Sequence, residues 1–475
     1  MSDLDLCYMP AHEALRRFRT RDLSPVELME ATIRRAETVS ESVNALTYTH
    51  FDEAMDRARK AEAKYAKGVR TGALEGLPIG IKDESEIKGK PTSAGSLILK
   101  DHIATETSTM NARIMRAGGI VHARTATPEF CCAGTTWSRL WGVSRNPWNP
   151  EFTCGGSSGG AAASLASGTS TLATGSDIGG SIRIPASACG VVGYKPPYGR
   201  NPDDPPFNLD FFCHTGPMAR TVTDAILLQN VMAGPSPHDI ATLRPKLRLP
   251  LEYKPIRGWK IAFSMDLGLF EVDPEVQKNT LAALDVFRSL GATVEEVDLG
   301  WKPEALRAGI TYLEHLFGGY LSGLLEEHSA EMTTYARQFA EKGRDSKAIS
   351  FVNSLETINE MYRSLGPTLE KYDVLICPTN ALPAVAADFD HSKDTVVING
   401  KQVNPMIGWA MTMPFNMLSR CPVLSVPSGH AKNGVPTGIQ IVGRSYCDAD
   451  VFRAAMAYET AQGPWYKNAE TRPRL

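Results

Sequence analysis

Two glycine-flanked serine clusters lie close together in the chain, and their residue types suit catalysis or ligand binding. The first covers Gly155–Gly160 and contains two adjacent serines, and the second covers Asp177–Pro185 and contains Ser181. Glycine permits positive φ angles and lets another group approach the main chain closely. The two loops therefore predict a site where hydroxyls and backbone N–H groups converge. The alternative is a flexible linker, but linkers rarely contain Ile, Arg and Pro at this density.

A lysine ends a short apolar run earlier in the chain. Leu77–Ile81 is typical of a buried strand, and Lys82 follows it directly. Ligands bind beyond the carboxyl ends of strands in open α/β sheets. Lys82 is therefore a candidate for the same site, with a surface lysine that merely ends a strand as the alternative.

The surrounding elements alternate between helices and short buried strands. Ser24, Pro25 and Glu27 form a helix start with a capping box. Further helices are predicted over 51–66, 107–117, 161–166, 273–291 and 448–461, with a mainly helical region over 302–371. Strands are predicted over 120–123, 171–174, 260–264, 293–299, 373–378, 422–426 and 438–442. This alternation predicts an α/β fold with a parallel or mixed sheet.

The amino-acid composition restricts the classes of protein to which this chain can belong. The 475 residues are 43% hydrophobic and 22% charged, with a net charge of −3. These values are typical of a globular enzyme and give no support to a nucleic-acid-binding surface. No secretory signal and no membrane-length apolar run are found. The nine cysteines lack paired spacing, which favours reduced thiols and a cytoplasmic location.

Several catalytic motifs were compared with the sequence. Gly155–Gly159 fits the G-x-S-x-G pattern of α/β-hydrolases, but any such glycine–serine run does, and Asp388 and His391 are only nominal partners. Ser85–Lys88 matches S-x-x-K without its companion motifs. Neither glycine cluster continues as a phosphate-binding loop. No metal-ligand spacing is present, so neither a metal nor a cofactor is expected.

The chain resembles the amidase signature family over nearly its whole length. The resemblance rests on the segments at 76–83, 155–163 and 174–196, and most specifically on Ser157 and Ser181, which are 24 residues apart. It implies a twisted mixed β-sheet covered by α-helices on both sides. It also implies one domain over 1–475, with a helical segment at 1–70, a signature core at 76–225 and a helical insert or lid at 302–371.

The resemblance implies a Ser–cis-Ser–Lys triad. Ser181 matches the nucleophile, Ser157 the bridging serine in a cis peptide, and Lys82 the base. A serine hydroxyl needs a base to take its proton. Free lysine is protonated at neutral pH, so we expect burial to lower the pKa of Lys82 towards neutrality.

The resemblance also implies an oxyanion hole and a supporting shell. The oxyanion hole is built from the backbone N–H groups of Ile178, Gly179, Gly180 and Ser181. The supporting positions are Ser158, Asp177 and Arg183.

The expected reaction is hydrolysis of amide C–N bonds through an acyl-enzyme, with carbamates and esters as further substrates. Candidate substrate-binding residues are Phe130, Cys131, Cys132, Arg200 and Phe207, with the loop at 201–212 as a pocket wall. The expected partner is a small-molecule amide or carbamate, without nucleic acid or membrane, and the chain is expected to be a monomer or homodimer. The amidase subunit of a glutamine-dependent tRNA amidotransferase is the alternative within the family.

Overall fold

The computed structural model describes residues 2–475, and eleven strands in this range form one mixed sheet. With the four strands of two small separate pairs, the described residues contain fifteen strands in all. They are β1 Leu46–Thr49, β2 Pro78–Lys82, β3 Ile120–Thr125, β4 Trp137–Ser138, β5 Gly142–Val143, β6 Leu172–Ser176, β7 Val192–Lys195, β8 Thr215–Ala219, β9 Lys260–Phe263, β10 Thr293–Glu296, β11 Val374–Pro378, β12 Val396–Ile398, β13 Lys401–Val403, β14 Val423–His430 and β15 Pro436–Val442. The order in the sheet is β1-β3-β2-β6-β8-β7-β14-β15-β11-β9-β10, while β4–β5 and β12–β13 form separate pairs.

Helices flank this sheet, and the predicted α/β fold is confirmed. They are α1 Asp3–Cys7, α2 Ala11–Thr20, α3 Pro25–Val43, α4 Phe51–Ala66, α5 Thr109–Arg116, α6 Gly159–Ser167, α7 Arg183–Cys189, α8 Val222–Met232, α9 Pro274–Ser289, α10 Glu304–Leu313, α11 Gly319–Ser322, α12 Leu325–His328, α13 Thr334–Arg344, α14 Ala348–Lys371, α15 Met413–Met417 and α16 Asp448–Gln462. A π-helical turn, Glu314–Gly318, joins α10 to α11, and 3₁₀ turns lie at Glu129–Cys131, Phe207–Leu209 and Ala469–Thr471.

Capping and proline preferences explain how helices α3 and α7 begin. Helix α3 begins with the predicted capping box, in which Ser24 and Glu27 bond each other's backbone. Helix α7 was not predicted, because Pro185 and the neighbouring glycines are typical of a loop. Pro185 lies in its first turn, where a proline removes no intrahelical hydrogen bond.

The register of the parallel strands creates the site. β2 pairs in parallel with both β3 and β6, with Ile79 opposite Leu172. Parallel strands end at the same edge of a sheet, so Lys82 at the end of β2 and Ser176 at the end of β6 emerge side by side. The two glycine–serine loops lie at this edge.

Two large apolar clusters stabilise the sheet on its flanks. One joins the amino-terminal helices to β2, β6 and β14, and the other joins the 302–371 helices to β11 and α15. Between residues 2 and 475, no helix is long and apolar enough to cross a lipid bilayer.

Candidate active site

Lys82 lies at the centre of the polar contacts at this edge. Its side chain is 1% exposed. Its ammonium Nζ donates to Ser157 Oγ at 2.8 Å and to Ser176 Oγ at 2.8 Å. The Glu84 carboxylate oxygen Oε1 lies 3.3 Å from the same nitrogen.

The pKa of Lys82 departs from our expectation. Burial lowers it, as expected, but Cys131 and the Glu84 carboxylate raise it, and the net direction is upward. The expected shift towards neutrality is therefore wrong for the free protein. The physical reason is that a carboxylate at ion-pair distance favours the ammonium form.

The first glycine–serine loop presents Ser157 to the lysine. The Gly156–Ser157 peptide bond is cis, as the family resemblance implied. Helix α6 starts two residues later, and Ser157 is 1% exposed. The N–H of Ser158 donates to the carbonyl oxygen of Ser181 at 3.1 Å, so the two loops are joined through their backbones.

The second loop exposes a row of backbone donors next to Ser181. Among the described residues, the N–H groups from Ile178 to Ser181 donate no hydrogen bond. Gly180 has a φ of 128°, and a Cβ at this position would lie 1.9 Å from Thr412 Oγ1. Only glycine fits this turn, and the turn leaves the donors free for an oxyanion.

Hydrogen bonds link only two of the three triad candidates. Lys82 and Ser157 are hydrogen-bonded, whereas no hydrogen bond between the described residues joins Ser157 Oγ to Ser181 Oγ. Catalytic hydrogen bonds are often long before substrate binds. Ser181 is 7% exposed and lines the cavity described below.

A buried ion pair between Asp177 and Arg183 stabilises the second glycine–serine loop. Asp177 accepts from the Arg183 guanidinium at 2.9 and 3.0 Å and from the Asn416 amide at 2.8 Å. Burial raises the pKa of Asp177, but Arg183 outweighs it and lowers the pKa to about 2. The carboxylate also accepts from the N–H of Ile182 at 3.2 Å. Asp177 and Arg183 thus lie in supporting positions.

An apolar cavity of about 50 Å³ adjoins Ser181 and the free donors. Its lining includes Cys131 and Cys132, two of the predicted substrate-binding residues. The other lining residues are Ala133, Gly134, Ile178, Gly179, Ile184, Leu313, Phe317, Phe339, Met406, Ile407, Ala410 and Met413.

Two predicted pocket residues lie outside the cavity. Phe207 contacts the Phe317 ring at a centroid distance of 5.2 Å, so it packs behind a wall residue. Phe130 has a φ of 49° and packs against the apolar cluster that surrounds the cavity. The loop at 201–212 does not line the cavity; its Phe207 ring contacts Phe317 of the π-helical turn, and its Phe212 ring stacks on Tyr312 of α10.

Arg200 does not line the cavity, and its charge is already paired, so its predicted role in substrate binding stays a prediction. Its guanidinium donates to Asp448 at 2.9 and 2.8 Å, and the Asp448 side chain is 0% exposed. The same carboxylate accepts from the Tyr194 hydroxyl at 2.8 Å. Arg200 therefore connects the segment after β7 to the start of α16.

This ion pair gives a stability prediction. Arg200→Ala is expected to lower the free energy of unfolding by about 3–5 kcal/mol, because it leaves the Asp448 carboxylate buried and unpaired. Urea denaturation measures the loss. The double variant Arg200→Met/Asp448→Leu removes both charges and should recover most of it. A change in the ratio of kcat/KM between two substrates, at unchanged stability, would instead restore a binding role for Arg200.

No hydrogen bond between the described residues joins the nominal α/β-hydrolase partners, Asp388 and His391, to Ser157 or Ser181. The His391 ring lies 5.8 Å from the Tyr335 ring, and burial lowers the pKa of His391 to about 4. Across residues 2–475, no group of three or more His, Cys, Asp or Glu side chains is arranged to hold a metal ion.

Sequence reasoning missed four residues of the site. Ser176 and Glu84 contact Lys82, Asn416 binds Asp177, and Thr412 donates to the Gly179 carbonyl oxygen at 2.7 Å. Ser176 carried a usable signal, because it is a polar residue that ends a strand parallel to β2. Asn416 and Thr412 come from a segment more than 200 residues away; Asn416 lies in a further stretch that resembles the family, at 415–429, whereas Thr412 carried no signal.

Known proteins support the assignment of the whole chain. Residues 27–452 match the family model described as Amidase. The chain is 32% identical to an acylamidase of Rhodococcus erythropolis over 98% of both chains. It is 33% identical to a glutamyl-tRNA(Gln) amidotransferase subunit of Geobacillus thermodenitrificans, over 93% of this chain and 94% of the other.

Among solved structures, a bacterial aryl acylamidase of the amidase signature family superposes with a TM-score of 0.90. It is 31% identical, and the match covers 98% of this chain and 99% of that one. The chain belongs to the amidase signature family, and it is an enzyme that hydrolyses amide C–N bonds.

Proposed function

We propose that the chain hydrolyses amides of uncharged, apolar or aromatic small molecules through an acyl-enzyme on Ser181. The observation that carries this proposal is the row of free N–H groups from Ile178 to Ser181, of which Ile178, Gly179 and Ser181 line an apolar cavity. Lys82 is hydrogen-bonded to Ser157, and the N–H of the next residue, Ser158, donates to the carbonyl oxygen of Ser181.

The proposed reaction begins with attack of Ser181 Oγ on the substrate carbonyl carbon. The hydroxyl proton passes to Ser157, and the proton of Ser157 passes to neutral Lys82. The oxyanion of the tetrahedral intermediate accepts from the free N–H groups, each of which contributes about 10²–10³ in rate. The proton then returns through Ser157 to the leaving nitrogen, and the C–N bond breaks.

Water completes the cycle. It attacks the acyl-enzyme carbonyl and gives its proton to the same relay. The bond from the acyl carbon to Ser181 Oγ then breaks, the relay returns the proton to that oxygen, and the acid is released. The supporting roles that we propose for Asp177, Arg183 and Ser158 are indirect, because each holds a loop and none reaches the cavity. A carbamate would react by the same steps.

The cavity lining favours uncharged acyl groups. Its walls are aliphatic, aromatic and thioether side chains, and none of the lining residues carries a charge. A charged group buried here would lack the partner that its desolvation requires. Glutamine carries an ammonium and a carboxylate, so this lining argues against the amidotransferase alternative. Met406 and Met413 are flexible enough to widen the space for larger groups.

Assays of the purified chain alone distinguish the candidates. We expect release of an aromatic amine from anilides, and no ammonia from glutamine with or without added tRNA. Carbamate chromogens are tested in parallel to measure the preference between the two carbonyl classes. Glutamine hydrolysis without anilide hydrolysis would overturn the proposal. Light scattering tests the expectation of a monomer or homodimer, and the single domain and the lid role of 302–371 stay predictions.

Phe317 gives a specificity prediction. Phe317→Ala removes a ring from the cavity wall, so anilides with bulky acyl groups should gain relative to acetanilide. We expect the ratio of their kcat/KM values to rise tenfold, about 1.4 kcal/mol. Steady-state kinetics on both substrates measures the ratio.

Phe351→Ala is the matched control for this change. Phe351 lies in the same helical region and contacts the rings of Tyr312 and His315, but it does not line the cavity. In Phe351→Ala, the kcat/KM for bulky anilides relative to that for acetanilide should stay at the wild-type value. Equal ratios in both variants would show that Phe317 does not limit the acyl group.

A further inference from the structure

The proposed base has a carboxylate neighbour that the reaction scheme does not use. Glu84 Oε1 lies 3.3 Å from Lys82 Nζ, and the two side chains are 24% and 1% exposed. Glu84 follows Lys82 by two residues, after the chain has left β2. The pair is therefore shielded from bulk water mainly on the lysine side, where a counter-ion acts most strongly.

The second oxygen of Glu84 is also bound. Oε2 accepts from the Cys131 thiol at 2.7 Å, and the same sulfur lies 3.1 Å from Thr127 Oγ1. Burial raises the pKa of Cys131 to about 12, so the thiol remains a proton donor at any working pH. The carboxylate is thus held between an ammonium and a thiol.

The backbone around Cys131 is built to make this contact. Phe130 and Cys131 have φ angles of 49° and 60°. Two consecutive residues with side chains rarely adopt this left-handed region, and they keep it only where packing imposes it. The turn directs the Cys131 side chain towards Glu84 while Cys131 also lines the cavity.

We propose that Glu84 is a positioning residue, oriented by Cys131, that holds Lys82 as an ammonium ion in the free enzyme. This inference rests on the proposed role of Lys82 as the base. An ammonium cannot accept the proton of Ser157, so only the fraction of free enzyme in which Lys82 has lost a proton to the solvent can be acylated. The enzyme therefore gains kcat/KM with rising pH, and Glu84 sets the position of that rise.

Other ionisable groups surround Glu84 without replacing it. Those that interact with its charge are Lys82, Arg124, Cys131, Asp203, Asp204 and Cys213. Arg124 opposes the effect of Glu84, whereas a charged Asp203 or Asp204 adds to it. Burial, above all, raises the pKa of Asp203 to about 7 and that of Asp204 to about 6. Glu84 is the carboxylate within ion-pair distance of Lys82 in residues 2–475.

The test is the pH profile of kcat/KM for Glu84→Gln on a neutral anilide. Loss of the counter-ion should move the rising limb to lower pH by about one unit, since nearby opposite charges shift a pKa by about 1–3 units. At a pH on the limb, the variant should then retain about tenfold more of its plateau rate than the wild type. Glu84→Met is the second neutral replacement, used if Glu84→Gln does not fold.

Glu86→Gln is the matched control, because it removes the same charge two residues later. Glu86 bonds His102 at 2.9 Å and does not contact Lys82. The rising limb of the kcat/KM profile of Glu86→Gln should stay near the wild-type pH. An unmoved limb in both Glu84 variants, with Lys82→Ala inactive, would overturn this inference alone. An active Lys82→Ala would overturn the proposed function instead.

Discussion

Ser181→Ala is expected to abolish turnover, with a loss on the order of 10⁶ in kcat by comparison with other serine nucleophiles. The side chain makes no hydrogen bond with another described residue, so the fold should stay intact. Anilide hydrolysis measures the rate, and circular dichroism checks the fold. A fluorophosphonate probe should add its mass to Ser181 in the wild type and leave the variant unlabelled.

Ser187→Ala is the control for this change. Ser187 lies in helix α7, six residues after Ser181, and its hydroxyl is buried without a hydrogen-bond partner. Its loss should leave the rate unchanged. A fully active Ser181→Ala, with labelling at another serine, would exclude Ser181 as the nucleophile.

Lys82→Ala is expected to cost nearly as much as the loss of Ser181, because both act in one proton relay. Lys82→Met tests the same loss while filling more of the buried space. The double variant with Ser181→Ala should be no slower than either single variant. Measurements of kcat/KM from neutral to alkaline pH should show no rising limb, because the amine whose titration produces it is absent.

Lys90→Ala is the control for the lysine change. Lys90 lies eight residues further along and pairs with Glu53 near the surface. Its replacement should change neither the rate nor the limb. If Lys82→Ala kept both the height and the position of the wild-type profile, another group would have to be the base.

The sequence predicted the parts of the fold that depend on local rules. The capping box of Ser24, the apolar run before Lys82 and the 51–66 helix each appear at the predicted place. The edge where Lys82 emerges followed from the behaviour of parallel strands. The order of the eleven strands had no local signal, because it depends on pairings between distant segments.

The differences between the expected and the observed site have the same origin. Arg200 was assigned to the pocket because it precedes an aromatic loop, yet its partner, Asp448, is 248 residues away. The pKa of Lys82 was expected to fall because burial was the only influence that the sequence revealed. The opposing carboxylate, Glu84, is close in sequence, but its orientation depends on Cys131, 47 residues further along.

The hydrogen bonds that hold Asp177 and Arg183 in place bear on how the substrate preference of the enzyme can be changed. The side-chain bonds of Asp177 and Arg183 reach α15 and β15, through Asn416 and Gln440, and none reaches the 302–371 helices. Those helices supply Leu313, Phe317 and Phe339 to the cavity wall. The hydrogen bonds that support the second glycine–serine loop thus do not pass through these three wall positions. Libraries restricted to these wall positions should yield new acyl preferences while the catalytic loop keeps its geometry.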